Sequence, residues 1–390
     1  MTAPFTGIDF YQLDELLTEE ERAVRDTVRE WVSRRFMPVI EQHNRAGTFP
    51  ENLIPEMAEL GLLGAPIQGY DCAGMNATAY GLILQELERG DSGLRSFASV
   101  QTSLCMWPIW TYGTEEHRKK WLPPMAHGKK IGCFGLTEPD HGSNPGGMIT
   151  RAKRKGGKWI LNGAKMWITN ASVADIAVVW AKDEEDQIRG FLVEKGTPGF
   201  TTKETHNKWS LRASITGELI FSDCAIPEDC VFPDVKGLKG PLSCLTQARY
   251  GIAWGAIGAA MACYDSSVNY AKTRIQFDRP IGAFQLNQEK LAYMLTEITK
   301  AQCLCLRLAQ LKDQKKLKPE QVSLAKRNNV EIALNIARLA RDLHGANGII
   351  DEYPVIRHMM NLESVKTYEG THDIHTLVLG QAATGLAAYT

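Results

Sequence analysis

A carboxylate that works as a base near neutral pH must be drawn out of water, and the segment KTYEGTHDIH from Lys366 to His375 offers one. Glu369 precedes Gly370 between two helical patterns, where Thr371 or Asp373 can cap the second helix. At such a junction burial raises a carboxyl pKa toward the working pH. Spacing alone leaves two readings open, a proton-abstracting base and a structural cap, and favours the cap. Other familiar chemistries are missing from the sequence. No G-x-G-x-x-G follows a strand and no G-x-x-x-x-G-K-[ST] occurs, which speaks against a Rossmann site and a P-loop. There is no H-E-x-x-H; His372 with His375, and Cys303 with Cys305, lack partner ligands. Cys303 and Cys305 fall on different sides of a helix and read as packing residues, so no metal is expected.

The elements that must position such groups follow from periodicity. Thr18 and Glu21 form a capping box ahead of Val24, Val28, Trp31, Val32, Phe36 and Val39, with Pro38 expected to bend or end that helix. Further helices are expected from Leu53 to Leu62 and from Ala77 to Arg89, the latter closed by Gly90. Near Ile131 the pattern changes to short apolar runs: Lys158 to Leu161, Met166 to Thr169, Ile176 to Ala181 and Arg189 to Glu194. Asn162-Gly163, Asn170-Ala171-Ser172 and the acidic stretch Asp183 to Asp186 read as turns between them, the last a solvated hairpin tip. After Pro241 helical period returns in Arg249 to Arg274, Leu286 to Gln314, Pro319 to Leu343, Tyr353 to Tyr368 and Ile374 to Ala388. The expected organisation is α+β: a helical domain over 1–130, a β domain over 131–236 and a helical bundle over 237–390.

Composition narrows the partners. The chain has 390 residues, and 44 Lys+Arg against 45 Asp+Glu leave a net charge of -1, too little for a nucleic-acid or anionic-membrane binder. No apolar run reaches the roughly 18 residues that a membrane span needs. An odd count of 9 Cys in apolar contexts argues for reduced thiols, hence a bacterial cytoplasm or, for a processed chain, a mitochondrial matrix.

Several segments in fixed order carry a resemblance: CFGLTEPDHGS from Cys133 to Ser143, KMWITN from Lys165 to Asn170, RIQF from Arg274 to Phe277, QLNQ from Gln285 to Gln288, HGANG from His344 to Gly348, and YEGT from Tyr368 to Thr371. On these the chain resembles the acyl-CoA dehydrogenase family over nearly its whole length, and within it the glutaryl-CoA dehydrogenases. The resemblance implies an N-terminal helical domain, a middle β-barrel domain and a C-terminal four-helix bundle, assembled as a homotetramer with non-covalent FAD. It implies that Phe134, Leu136, Thr137 and Ser143 meet the flavin ring, with Trp167, Ile168 and Thr169 on one side. Arg274, Phe277 and Gln285, with the turn from Asp342 through Gly345 and Ala346, would hold pyrophosphate and adenosine, and Thr371 and Asp373 complete the cofactor contacts.

The same resemblance makes Glu369 the base, its main-chain amide hydrogen-bonding the thioester oxygen as an oxyanion donor. Substrate contacts would come from Ser143, Leu242, Arg249 and Gly370, with Arg249 an anchor for the CoA end. Glu88, Arg95, Ser96 and Tyr368 match the end of the acyl pocket, where an Arg pairs with a dicarboxylic chain. Read without the family, Arg95 is a surface residue after a helix stop. The implied reaction is oxidation of glutaryl-CoA, then decarboxylation to crotonyl-CoA, as in lysine and tryptophan breakdown, with electron transfer flavoprotein as partner. The competing expectations are a dehydrogenase that stops before decarboxylation, one for another short acyl-CoA, a non-catalytic binding protein and a flavin oxidase. The chain departs from the family pattern at Asp71, Leu94, Asn144, Asp278 and His344.

Overall fold

The computed structural model describes residues 5–388. The first helix, α1 (Glu19–Trp31), starts at the capping box: Thr18 Oγ1 accepts from the Glu21 N–H (3.2 Å) and Glu21 Oε2 accepts from the Thr18 N–H (2.7 Å). Pro38 does not end it. A wide turn over Val32–Phe36, closed by a Met37 N–H to Val32 O bond, carries the chain into α2 (Met37–Ala46). That extra residue in the turn accommodates the proline ring near the start of α2, where its missing N–H costs little. The layer continues through α3 (Ile54–Glu59), α4 (Ala77–Gly90), α5 (Ser92–Ser99), α6 (Trp107–Tyr112) and α7 (Glu115–Ala126).

Every residue of α4 and α5 is buried, although the two contain Glu86, Glu88, Arg89 and Arg95, with Asp91 between them. Buried charges must find partners. Glu86 pairs with Arg29 and Arg89, each at 2.8 Å, and Glu88 with Arg95 at 2.6 Å. Asp91 caps α5 through the Gly93 N–H (2.7 Å) and accepts from Arg357 (2.7 Å) and Asn361 (2.9 Å). Gly90 is therefore not a stop before a surface loop. It is the corner of a buried helical hairpin, and Arg95 is 1% exposed.

The middle region is a mixed seven-stranded sheet: β1 (Gly132–Gly135), β2 (Arg151–Lys155), β3 (Lys158–Thr169), β4 (Ile176–Lys182), β5 (Ile188–Glu194), β6 (Phe200–Glu204) and β7 (Thr216–Pro227). The order is β1-β4-β2-β3-β7-β6, with β5 on β4. The acidic tip does join a β4–β5 hairpin, but β1 pairs parallel with β4. Asn162-Gly163 is not a turn either. One continuous strand passes through it with a bulge between Leu161 and Gly163, and Asn162 bonds across to Asp223. A second bulge between Lys165 and Ile168 turns Trp167 outward.

The last third is α8 (Lys239–Thr273), a short arm of β8 (Ile275–Gln276) and β9 (Arg279–Pro280), then α9 (Gln285–Asp313), α10 (Pro319–Leu343), α11 (Val355–Thr367) and α12 (His372–Thr384). The long helices α8, α9 and α10 pack on one another, α11 closes on α8 and α10, and α12 on α10. On its other side α8 receives α4 at close range. A Cβ on Gly255 would stand 1.9 Å from Glu88 Oε2, so the absence of a side chain there makes room for the buried Glu88–Arg95 pair. Among the described residues no helix is long and apolar enough to cross a membrane. The cysteines are free thiols and mostly interior, but Cys303 is exposed rather than packed.

Candidate active site

Helix α11 stops at Thr367 because the backbone turns extended at Tyr368 (φ -84, ψ 167) and then left-handed at Glu369 (φ 52) and Gly370 (φ 91). Thr371 restarts the chain as α12, its side chain accepting from the Ile374 N–H at 3.1 Å. A non-glycine residue in the left-handed region costs about 1–2 kcal/mol, strain of the kind found at functional sites. Any other residue at Gly370 would be strained at this φ and would crowd its neighbours. A Cβ there would lie 2.9 Å from His375 Nε2 and 3.1 Å from Arg249 Nη2.

The Glu369 carboxylate sits at this break with Oε2 shielded from solvent and without a hydrogen-bond partner. Burial pushes its pKa above the ordinary carboxylate range, although Arg95, Lys326 and Arg249 pull it down. A carboxylate oxygen shielded in this way and without a partner is free to accept a proton. His375, interior and touching Gly370, is pushed to about 3 by burial and by Lys326 and Arg249, so it is a neutral imidazole.

On one side of Glu369 lies a buried polar cluster from α4 and α5. Arg95 Nε donates to Glu88 Oε2 (2.6 Å), Arg95 Nη2 donates to the Tyr368 hydroxyl, and Ser92 Oγ donates to Glu88 Oε1 (2.8 Å). Ser96 Oγ lies 3.5 Å from the same hydroxyl, and the Arg95 guanidinium lies 5.6 Å from the Tyr368 ring centroid. Burial alone would lower the Arg95 pKa, but the Glu88 carboxylate outweighs it and holds the cation charged. Burial also raises the Tyr368 phenol to about 12, which keeps it protonated. Glu88, Arg95, Ser96, Tyr368 and Glu369 are thus brought together from stretches 273 residues apart.

On the β domain, the segments expected to meet a flavin also converge. The Met166 N–H donates to Thr137 O (2.8 Å), tying the end of β1 to the Trp167 bulge. Trp167 (φ 62) is 58% exposed, so its indole is a free face rather than a β-core ring. Phe134, Leu136 and Ile168 bury their side chains in the core, leaving only their main chain for a ligand, while Ser143 is exposed and Thr137 and Thr169 are half-buried. On the bundle, Arg274, Phe277 (87% exposed) and Gln285 line the arm and the start of α9. Gly345 (φ 58) has open space where a Cβ would stand and Ala346 is exposed, but the Asp342 carboxylate is engaged by Lys290. Leu242 is exposed on α8, and Asp373 is exposed in the first turn of α12. Arg249, expected as an anchor for the CoA end, donates from Nε to the Glu369 carbonyl at 2.6 Å.

Sequence reasoning missed two buried lysines here. Lys165 (0% side-chain exposure) donates to Leu136 O (3.1 Å) and Glu138 Oε1 (2.8 Å), while Glu138 accepts from the Ile149 and Thr150 N–H groups. Burial pushes the Lys165 ammonium down to about 8; desolvation would raise Glu138, but Lys165 outweighs it and holds the carboxyl at about 2. The pair pins the 136–150 loop beneath Trp167. Lys165→Met is therefore expected to strand a buried carboxylate and lower stability by about 3–5 kcal/mol in chemical denaturation, with Glu138→Gln added to it, which removes the charge and keeps an acceptor for the loop N–H groups, restoring part of the loss. An unshifted midpoint for the single variant would contradict this. The second lysine, Lys326, contacts the base segment itself.

Comparison with known proteins identifies the three-part architecture. Residues 18–129, 133–224 and 236–384 match the N-terminal, middle and C-terminal domains of acyl-CoA dehydrogenase. A crystal structure of glutaryl-CoA dehydrogenase from Mycobacterium smegmatis is 55% identical, with 97% of this chain and 98% of that chain covered and a TM-score of 0.95. A glutaryl-CoA dehydrogenase from the same organism in complex with FADH2 is 51% identical, with 98% and 99% covered and a TM-score of 0.97. The human mitochondrial short-chain specific acyl-CoA dehydrogenase is 36% identical over 375 residues, 95% of this chain and 91% of that protein. With three domain matches in order and a relative of that identity along almost its full length, the chain belongs to the acyl-CoA dehydrogenase family.

Proposed function

We propose that the protein oxidises glutaryl-CoA at its α,β carbons and then releases carbon dioxide to give crotonyl-CoA, with Glu369 as the base. The observation that carries the substrate is Arg95: a fully buried cation beside Glu369, where a methyl-terminated chain would need apolar lining. The higher identity to the two Mycobacterium smegmatis glutaryl-CoA dehydrogenases, 55% and 51%, than to the human short-chain enzyme, 36%, supports the same choice. The residues around Trp167 and Gly345 fit FAD: an exposed indole for a flat ring, main-chain groups of 134–137, and open backbone at a left-handed glycine for phosphate. FAD, when bound, supplies the two-electron acceptor for a hydride from the β-carbon.

The chain's own residues do the rest. Glu369 takes the α-proton at its orphaned carboxylate, and its N–H donates to the thioester oxygen as negative charge develops there. Arg95 holds the distal carboxylate. Glu88 shares that guanidinium, so the hold is loose enough for the carboxylate to leave as carbon dioxide, its electrons passing into the conjugated thioester. The proton returns to the γ-carbon from Glu369. Electron transfer flavoprotein takes the electrons onward, and copies of the chain cover the exposed Ile275, Phe277 and Leu286 in a homotetramer. The remaining site assignments made from the resemblance belong to this reading.

Anaerobic mixing with carboxyl-labelled glutaryl-CoA tests it: flavin bleaching, labelled carbon dioxide and crotonyl-CoA are expected. Bleaching without label would make the enzyme non-decarboxylating, and faster bleaching by butyryl-CoA would make Arg95 structural. Oxygen uptake without an added acceptor would replace the flavoprotein partner with an oxidase reaction.

A further inference from the structure

Three consecutive carbonyl oxygens at the base segment are held by cationic side chains from two different helices. Lys326 Nζ, on α10, donates to Tyr368 O (2.9 Å) and to Gly370 O (2.7 Å), and Arg249 Nε, on α8, donates to Glu369 O between them (2.6 Å). Lys326 is 1% exposed and lies on the apolar face of α10, among Val322, Ala325, Asn329, Val330 and Ala333. Burial pushes its ammonium down to about 7, a desolvation cost that its bonds to the Tyr368 and Gly370 carbonyls offset.

The geometry of the peptide unit says what the contact achieves. A trans peptide places its C=O and its N–H on opposite sides, and the described residues contain no cis peptide. Drawing the Tyr368 carbonyl toward α10 therefore turns the Glu369 N–H away from α10. Gripping Gly370 O as well fixes the other end of the segment, so Glu369 is held at φ 52 by bonds on both flanks. A segment without these bonds would relax toward right-handed backbone, which by itself lowers the strain.

We infer that Lys326 is a positioning residue for the reaction: it aims the Glu369 N–H at the thioester oxygen, and keeps the base on its strained backbone, by gripping the carbonyls on either side. This rests on the proposed assignment of Glu369 as base and oxyanion donor. Lys326 touches neither substrate nor cofactor in this scheme. It acts only through the peptide it holds.

The test compares Lys326→Met, which keeps volume and loses the donors, with Lys326→Gln, which keeps a shorter donor. Both are purified with FAD and scored by flavin bleaching and by ligand affinity. The ligands are glutaryl-CoA and its thioether analogue, in which a methylene replaces the thioester carbonyl. Bleaching by Lys326→Met is expected to slow on the order of 10- to 100-fold, less than the loss of a direct oxyanion donor, with Lys326→Gln in between. Affinity for the thioester should fall while affinity for the thioether stays within about threefold, because only the thioester has an oxygen for the N–H to meet. Bleaching by Lys326→Met within about threefold of the parent would overturn the inference, as would equal losses for thioester and thioether. Should Lys326→Met not retain FAD, Lys326→Gln is judged on the same two criteria. The parent enzyme separates the two claims: if it is bleached by butyryl-CoA and not by glutaryl-CoA, the substrate reading fails and the clamp is scored with butyryl-CoA and its thioether.

Discussion

Replacing Glu369 with Gln is expected to abolish substrate-driven flavin bleaching while leaving FAD bound. The shape of the side chain is kept and its basicity is lost, and a positioned base typically contributes about 10²–10⁴-fold. The pH dependence has a definite sign. Burial raises the Glu369 pKa, and proton abstraction needs the carboxylate, so in the parent the bleaching rate should climb as pH rises through that raised value. The variant should lack this limb. Stability should move the other way. A carboxyl whose folded pKa lies above the ordinary 4.5 binds more protons folded than unfolded, so stability falls as pH rises from about 4.5 through the raised folded value. Glutamine removes that loss, and Glu369→Gln should therefore unfold at a higher temperature than the parent at neutral pH but not at pH 4. Unchanged bleaching by the variant would end the assignment.

Arg95→Met is expected to reduce kcat/KM for glutaryl-CoA far more than for butyryl-CoA. Removing one partner of a buried charge pair costs about 2–5 kcal/mol, a factor of roughly 30 to several thousand. Arg95 has five N–H donors and spends only some of them on Glu88 and Tyr368, so a second carboxylate can be met without displacing the first. The single variant also leaves Glu88 buried at 0% exposure with Ser92 as its remaining donor, so it should be less stable than the parent. Adding Glu88→Gln should recover stability but not glutaryl-CoA turnover, which separates folding from recognition. Equal losses on both substrates would mean that Arg95 holds the fold and not the acyl chain.

Much of the scaffold was legible in the sequence because it is written in local chemistry. The Thr18 and Glu21 box, the 3.6-residue period of α10 and the acidic β4–β5 tip depend on neighbours within a few residues. The site was legible only in part. Glu369 drew attention because a carboxylate before glycine at a helix junction is a local signal. Arg95 read as surface because Gly90, Asp91 and Ser92 look like a helix stop, and the partners that bury it, Glu88 and Tyr368, lie on α4 and after α11. Trp167 was placed by the resemblance and not by its pattern: a strand aromatic does not announce the bulge between Lys165 and Ile168 that turns it outward. Lys326 had a usable signal that went unread. It falls on the apolar stripe of α10, where a lysine is out of place unless something needs its charge.

The bond between Asp91 and Arg357 spans 266 residues, and that between Arg95 and Tyr368 spans 273. During synthesis α4 and α5 therefore emerge with Asp91 and Arg95 already made and their distal partners Arg357, Asn361 and Tyr368 still unmade. Glu86 and Glu88 find their counter-charges within the first third of the chain, whereas Asp91 gains its own only when α11 docks. Glu369, the proposed base, is among the last groups to be made. A chain cut short before residue 357 lacks more than Glu369: it has no counter-charge for Asp91, at the corner of the helical hairpin that carries Arg95.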